Sequence, residues 1–159
     1  MPRSPLEALS FVIEECLPGL APEVRELLRE LVQSRGYPPR ADDLARSLGL
    51  RNRHQLAYLI RREGLLPLRS LERWIRIMVW LAEHETGGSS LCDSALQQLG
   101  DPSYRYRLIK EVLGIEWSVL VKRGFTWLLL EFFWTCGQGR ARRADRVALQ
   151  RLTLLVASA

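Results

Sequence analysis

The sequence predicts an all-α protein, because three features of its 159 residues favour helices throughout. Apolar residues recur three and four positions apart along almost the whole chain, as on the buried side of an amphipathic helix. Alternating runs of β-branched residues, which would indicate half-buried strands, are scarce. Glycine and proline fall between the apolar stretches, where they end one helix and begin the next. At 47% hydrophobic residues, the chain can bury a sizeable core.

Two helices are predicted at the N-terminal end. The first covers residues 6–17 and ends at Pro18. Pro22 begins the second, since proline suits the first turn of a helix, and Gly36 ends it. Each helix has an apolar stripe along one side. We therefore expect residues 1–36 to form a two-helix extension.

Residues 42–64, DDLARSLGLRNRHQLAYLIRREG, predict two short amphipathic helices joined by a tight turn. Gly49 suits the turn, because glycine readily adopts a left-handed backbone conformation. Asn52 is a typical N-cap of the second helix, and Gln55 stands three residues on, in the reciprocal capping position. This is the layout of a helix-turn-helix, which we place at residues 37–66.

A long central helix is predicted next, from Pro67 to about Glu85, in a linker segment of residues 67–88. With about 1.5 Å of rise per residue it would be roughly 28 Å long. Successive major-groove faces on one side of DNA are separated by roughly 34 Å, which is similar. The helix is therefore suited to act as a rigid spacer between two DNA-reading units.

The same plan repeats in residues 89–136. Ser90 is suited to cap a short helix, and Asp101, followed by proline, is suited to begin the next one. Gly100 and Gly114 stand 51 and 50 residues after the corresponding glycines of the first unit. We interpret this spacing as an internal duplication of the helix-turn-helix.

The chain beyond the duplication predicts a short helix over residues 116–123, a break at Gly124 and an apolar covering helix over residues 125–136. Residues 137–159 read as a basic linker and a C-terminal amphipathic helix. The sequence leaves two positions open for this last helix: it docks on the domain, or it pairs with a helix of another chain.

The formal charge of +5 is carried almost entirely by arginine, since only Lys110 and Lys122 are lysines. Arginine pairs with phosphate and contacts guanine bidentately, so this composition suits a nucleic-acid partner. It is equally typical of a GC-rich genome. Composition alone does not decide between the two interpretations.

The three cysteines, Cys16, Cys92 and Cys136, are far apart and form no C-x-x-C motif. They indicate buried thiols of a reducing cytosol rather than a disulfide framework or a zinc site. The most apolar run, residues 125–136, is shorter than the roughly 20 residues that a membrane-spanning helix needs. We expect a cytoplasmic protein with no membrane partner.

Signatures of catalysis are missing from the sequence. There is no paired nucleophile and base, no glycine-rich phosphate loop and no cluster of metal ligands. The adjacent carboxylates at residues 14–15 and 42–43 diverge on a helix and do not form an acid/base couple. We expect neither enzymatic activity nor a cofactor nor a metal.

Residues of about 38–124 resemble the DNA-binding domain of AraC/XylS-type transcription regulators, in which a long helix joins two helix-turn-helix units. The family's Leu-Ala-x-x-x-Gly is found at residues 44–49, and its Gly-Leu-x-Pro at residues 64–67. Arg76 corresponds to the arginine of the family's linker helix. In the second unit the residues similar to the family's most repeated signature are Asp101, Pro102, Ser103, Tyr104, Arg107, Lys110 and Gly114.

Departures from the family pattern are concentrated in the second unit. Arg105 occupies a position where the family usually buries an aromatic residue, and Trp117 stands where proline is usual. The segment between Ala95 and Gly100 is one residue longer than in the family pattern. The first unit is therefore expected to carry most of the sequence specificity.

The resemblance implies a sequence-specific double-stranded DNA-binding protein that regulates transcription, with RNA polymerase or another protein as a further partner. The alternatives are an ordinary solvated helix surface and a helix-turn-helix-derived protein-interaction or oligomerisation module without DNA reading. Ala57 favours the interaction module, because it offers a base little beyond contact with a thymine methyl. The predicted DNA-binding residues are Arg51, Asn52, Arg53, His54, Gln55, Tyr58, Arg61, Ser103, Tyr104, Tyr106, Arg107 and Lys110.

Overall fold

The computed structural model describes residues 5–88, 90–98 and 100–137. Throughout this part of the chain the regular structure is α-helical, which confirms the predicted all-α class. The predicted C-terminal helix and almost all of the predicted basic linker lie outside it. The helices are α1 (Pro5–Cys16), α2 (Pro22–Gln33), α3 (Ala41–Ser47), α4 (Arg53–Arg62), α5 (Leu68–Gly87), α6 (Leu91–Gln97), α7 (Pro102–Leu113) and α8 (Trp117–Gly137).

Several helices begin at the caps that the sequence predicts. Asn52 precedes α4, Ser90 precedes α6 and Asp101 precedes α7. Through a side-chain oxygen, Asn52 accepts two backbone N–H groups of the first turn, and Ser90 and Asp101 accept one each. Pro67 precedes α5, whose 20 residues make it about 30 Å long. These bonds confirm the predicted caps. The caps could be predicted from the sequence because each bond involves only neighbouring residues.

The last helix, α8, is interrupted at Gly124, whose φ of 83° and ψ of 171° are not helical. The sequence predicts this break. Phe125 follows it, and its backbone N–H donates to the carboxylate of Glu85 at 2.9 Å. The bond satisfies a donor that the break leaves without a helical acceptor, and it ties α8 to the end of α5. Although α8 is apolar, none of the described helices is long and apolar enough to cross a membrane.

The central helix α5 also lies at the centre of the core. Nine of its side chains are buried: Leu71, Trp74, Ile75, Ile77, Met78, Val79, Trp80, Leu81 and Ala82. All of them except Ala82 join a single apolar cluster that includes buried side chains from all the other helices. Full burial of one large apolar side chain contributes about 1.5–3 kcal/mol, so this cluster is the main source of stability.

The N-terminal helices α1 and α2 belong to the same core. Leu9 and Ile13 of α1 are each 1% exposed, and Leu27 and Leu31 of α2 are fully buried. Both helices pack against α5 as well as against each other. The two helices predicted as an N-terminal extension, α1 and α2, are therefore integrated into the domain that carries the rest of the described chain.

The end of α2 approaches α5 at a glycine. Arg35 and Gly36 have positive φ values of 58° and 78°, and the Gly36 N–H donates to the carbonyl of Leu31 at 2.7 Å. This geometry closes the helix in the manner of a Schellman motif. A β-carbon at Gly36 would lie 2.7 Å from the carbonyl oxygen of Glu72 and 2.9 Å from the backbone nitrogen of Arg76. Only glycine leaves room for this approach.

The three cysteines are free thiols. Cys136 is buried, whereas Cys16 and Cys92 are half-buried. Burial raises the pKa of the Cys16 thiol and of the Cys136 thiol to about 12. Because the thiolate is the reactive form, both side chains are poor nucleophiles.

Candidate nucleic-acid interface

The turn between α3 and α4 is closed by side chains on both of its sides. The Oδ1 atom of Asn52 accepts the backbone N–H groups of His54 and Gln55, each at 3.0 Å. Asp42 of α3 accepts the N–H of Arg53 at 3.0 Å. Three N–H groups at the start of α4 are thereby satisfied, and the helix is fastened to α3.

Gln55 takes part in this turn in a way that differs from the prediction. A reciprocal capping bond would reach the N–H of Asn52, but the Gln55 Oε1 accepts the N–H of Arg51 at 2.8 Å. The side-chain oxygens of both Asn52 and Gln55 are thus engaged within the turn. The amide NH2 groups of these two exposed residues make none of these bonds, and they act only as donors.

The outer side of α4 is exposed along its whole length. Leu56 and Ile60 point into the core with 1% exposure each, and the polar residues lie on the other side of the helix. Tyr58 is 59% exposed. We define the α4 face as the exposed residues Arg51, Arg53, His54, Ala57, Tyr58, Arg61 and Arg62.

The arginines of the α4 face are mostly free of carboxylates. Within the described part of the chain, Arg51, Arg53 and Arg61 form no ion pair. Arg62 lies 3.8 Å from the carboxylate of Glu63. The face therefore carries a net positive charge that a solvated, ion-paired helix surface would not have.

Charge is unevenly distributed along the first half of the chain. Residues 5–34 contain six glutamates and two arginines, whereas residues 35–62 contain seven arginines and two aspartates. The positive charge is thus concentrated in the segment that carries the α4 face. A concentration of this kind attracts polyanions more strongly than the same net charge spread evenly.

The second exposed polar surface lies on α7. Asp101 caps this helix by accepting the N–H of Ser103 at 2.9 Å. We define the α7 face as the exposed residues Ser103, Tyr106, Arg107 and Lys110. The ammonium of Lys110 lies 2.6 Å from the carboxylate of Glu116, and this hydrogen bond raises the pKa of Lys110. Since exposed ion pairs contribute little, a phosphate can displace Glu116 at small cost.

Tyr104 is not part of the α7 face, although it was among the predicted DNA-binding residues. It is half-buried, and its hydroxyl accepts a hydrogen bond from the Arg76 guanidinium at 2.6 Å. Its ring packs edge-on against Trp80, with 6.5 Å between the ring centroids. Both the ring and the hydroxyl are committed to α5, so we remove Tyr104 from the candidate contact residues.

Arg105 lies next to the α7 face, and the sequence prediction gave it no role in the site. It is 4% exposed and its guanidinium lies 4.8 Å from the ring centroid of Trp80. It donates to Ser94 at 3.0 Å and to Gln98 at 2.7 Å, which holds α6 against α7. Loss of hydration on burial lowers the pKa of Arg105. The available signal was its position four residues before Ile109, on the apolar side of α7.

The two faces share a chemistry suited to nucleic acids. Each lies on a helix whose first turn is capped by a side chain, and each presents arginine and tyrosine to solvent. Arginine binds phosphate and guanine, and tyrosine hydroxyls reach phosphates or base edges. Neither a protein-family model nor a curated protein nor a solved structure matches this chain.

Proposed function

We propose that the chain binds double-stranded DNA sequence-specifically and regulates transcription, as a protein of the AraC type. The observation that carries this proposal is the α4 face, whose Arg51, Arg53 and Arg61 are exposed and unpaired within the described residues. The bonds from Asn52 and Asp42 support it, because they set the direction in which α4 leaves the turn.

In this proposal α4 enters the major groove with its N-terminal half leading. Arg53, His54 and Tyr58 would face base edges, and a bidentate arginine contact would select guanine. Arg51 and Arg61, toward the two ends of the helix, would pair with phosphates and set its register on the duplex. The α7 face would occupy a second groove segment with weaker selectivity, since Arg107 is its one arginine.

The first test separates base reading from phosphate binding. Double-stranded DNA selected from a random pool by the full chain is titrated in mobility-shift assays at several salt concentrations. Arg53→Ala should relax selectivity by about 1–3 kcal/mol at one base pair. Arg61→Ala should weaken binding to all sequences alike and lower the slope of log K against log salt by about 1.

A matched control is Arg123→Ala. Arg123 is an exposed arginine of α8 whose guanidinium lies over the Trp127 ring at 4.5 Å, outside both faces. This variant loses the same charge and should keep the wild-type selectivity. The proposal fails if the wild-type chain selects no sequence, or if Arg53→Ala selects the same sequence with the same stringency.

A second candidate function is a protein-interaction module that retains this fold. Trp134 of α8 is 62% exposed and Phe11 of α1 is 51% exposed, which are large apolar side chains to leave in water. Isolated exposed apolar residues are common on monomers, so this candidate ranks second. Light scattering would test it: a defined oligomer that Trp134→Ser converts to a monomer favours the module, and a monomeric wild type opposes it.

A further inference from the structure

Arg76 of α5 connects two parts of the chain that are distant in sequence. Its Nε donates to the carbonyl oxygen of Gly36 at 2.7 Å, just beyond α2. Its NH1 group donates to the hydroxyl of Tyr104 on α7 at 2.6 Å. The guanidinium also lies over the Tyr37 ring, 4.1 Å from its centroid, and its side chain is only 15% exposed. One half-buried cation thus joins the end of α2 to α7.

The same side of α5 carries two further contacts to these segments. Trp80, one turn after Arg76, packs against Tyr104 and under the Arg105 guanidinium. Glu83 forms an ion pair with Arg35, at the end of α2. Positions 76, 80 and 83 lie on one stripe of a helix, so the contacts form a continuous row. We call this row the α5 seam.

The other end of α2 is tied to α4. Ala21 precedes α2 and has no polar side chain with which to cap it. Its N–H donates instead to the Oε2 atom of Glu63, at 3.0 Å, and Glu63 directly follows α4. Glu63 as a whole is 8% exposed. Its carboxylate lies at the N-terminal, positive end of the α2 dipole. The end of α4 is therefore held by the start of α2.

We infer that α2 is a brace that fixes α4 relative to α7, so that the chain reads two DNA segments at one separation and one rotation. Contacts run from α4 through Glu63 to α2, then through Gly36 and Arg76 to Tyr104 on α7. Arg76 and Glu63 are positioning residues and touch no DNA. The inference rests on the proposed DNA binding, which it extends from two separate faces to one composite reader.

The brace explains why the N-terminal helices belong to a domain whose proposed DNA contacts lie elsewhere. α5 links the two helix pairs through its backbone and through the shared apolar core. Apolar contacts are not directional, so the hydrogen bonds that run through α2 add a directional restraint between α4 and α7. Buried hydrogen bonds to a charged group are stronger than neutral ones and restrict rotation of one helix pair against the other. Loss of one of these hydrogen bonds, at Arg76, Glu63 or Tyr104, should thus leave each face intact and change only their mutual geometry.

The first experiment measures that geometry without DNA. Ala57→Cys and Ser103→Cys, both at exposed positions, receive spin labels in a full chain whose Cys16, Cys92 and Cys136 are replaced by alanine. Pulsed dipolar spectroscopy should give a narrow distance distribution for the otherwise wild-type chain. Arg76→Ala and the milder Tyr104→Phe should broaden it. The control variant Arg69→Ala removes an exposed arginine of the same helix and should leave it unchanged.

The second experiment measures spacing tolerance on the selected DNA. One inserted base pair between the two contacted segments moves the second by about 3.4 Å and rotates it by about 34°. Wild-type affinity should fall about tenfold or more, the equivalent of a lost base contact. Arg76→Ala and Glu63→Ala should lose less than about threefold, with lower affinity for the unmodified site. Glu63→Gln keeps an acceptor for the Ala21 N–H and should restore the wild-type spacing dependence.

The outcomes distinguish the brace from the proposed function. Unchanged distance distributions in folded Arg76→Ala and Tyr104→Phe overturn the brace, whatever the DNA result. Broadened distributions with unchanged spacing dependence overturn its role in DNA reading. A wild-type chain that selects no DNA overturns the proposed function, and the distance distributions still decide whether α2 braces the fold. Circular dichroism verifies that each variant retains its helices.

Discussion

Gly36→Ala tests how closely α2 approaches α5. A left-handed conformation costs a residue with a β-carbon about 1–2 kcal/mol, and the stiffer unfolded chain returns about 0.4–1 kcal/mol. At Gly36 the new β-carbon would also lie 2.7 and 2.9 Å from backbone atoms of α5. Backbone cannot rotate away as a side chain can, so this overpacking adds about 1–3 kcal/mol. Loss of the Arg76 bond to the Gly36 carbonyl adds more, and the total is about 3–5 kcal/mol.

Gly49→Ala is the matched control for this substitution. Gly49 has a φ of 75°, almost the value at Gly36, but a β-carbon there would meet no atom within 4 Å. The expected loss is therefore only about 1 kcal/mol, from backbone conformation alone. Urea unfolding of both variants, followed by circular dichroism, gives the two changes in the free energy of unfolding. Equal losses at the two glycines would refute the close approach of α2 to α5.

Two further predictions concern arginines and their partners. Arg105→Ala should lower the free energy of unfolding by about 2–4 kcal/mol, because it opens a cavity over Trp80 and removes the hydrogen bonds that hold α6 against α7. Arg105→Met should cost much less, because it fills that space without a buried charge. Urea unfolding checks this, and a greater loss for methionine would contradict it. Hydrogen bonds from Arg29 hold the pKa of Glu14 below its ordinary value of 4.5. That contribution is fully present above pH 4.5 and is lost as the pH falls through the lower pKa of the folded state. Glu14→Gln should therefore be less stable than wild type at neutral pH and equal to it in strong acid. A stability difference that is independent of pH would count against this ion pair.

The sequence prediction placed both α7 tyrosines among the DNA-binding residues, although periodicity alone does not fix which of them faces solvent. Tyr104 and Tyr106 are two residues apart, so they lie on different sides of the helix, but either side is compatible with a polar aromatic residue. Trp80 and Arg76 on α5 decide between them, because they give Tyr104 an aromatic neighbour and a hydrogen-bond donor. Arg105 was similarly ambiguous: its charge suggests the surface, whereas its helical position places it inside.

The sequence by itself located the breaks between the helices to within a few residues, from the caps at Asn52, Ser90 and Asp101 to the break at Gly124. These signals act over a few residues, so they are legible in a local stretch of chain. Only the tertiary structure decided what holds the helices together. Glu63 and Ala21 are 42 positions apart, and Arg76 lies 40 positions from Gly36 and 28 from Tyr104. No local pattern records such pairs, because the fold of the intervening helices brings them within bonding distance.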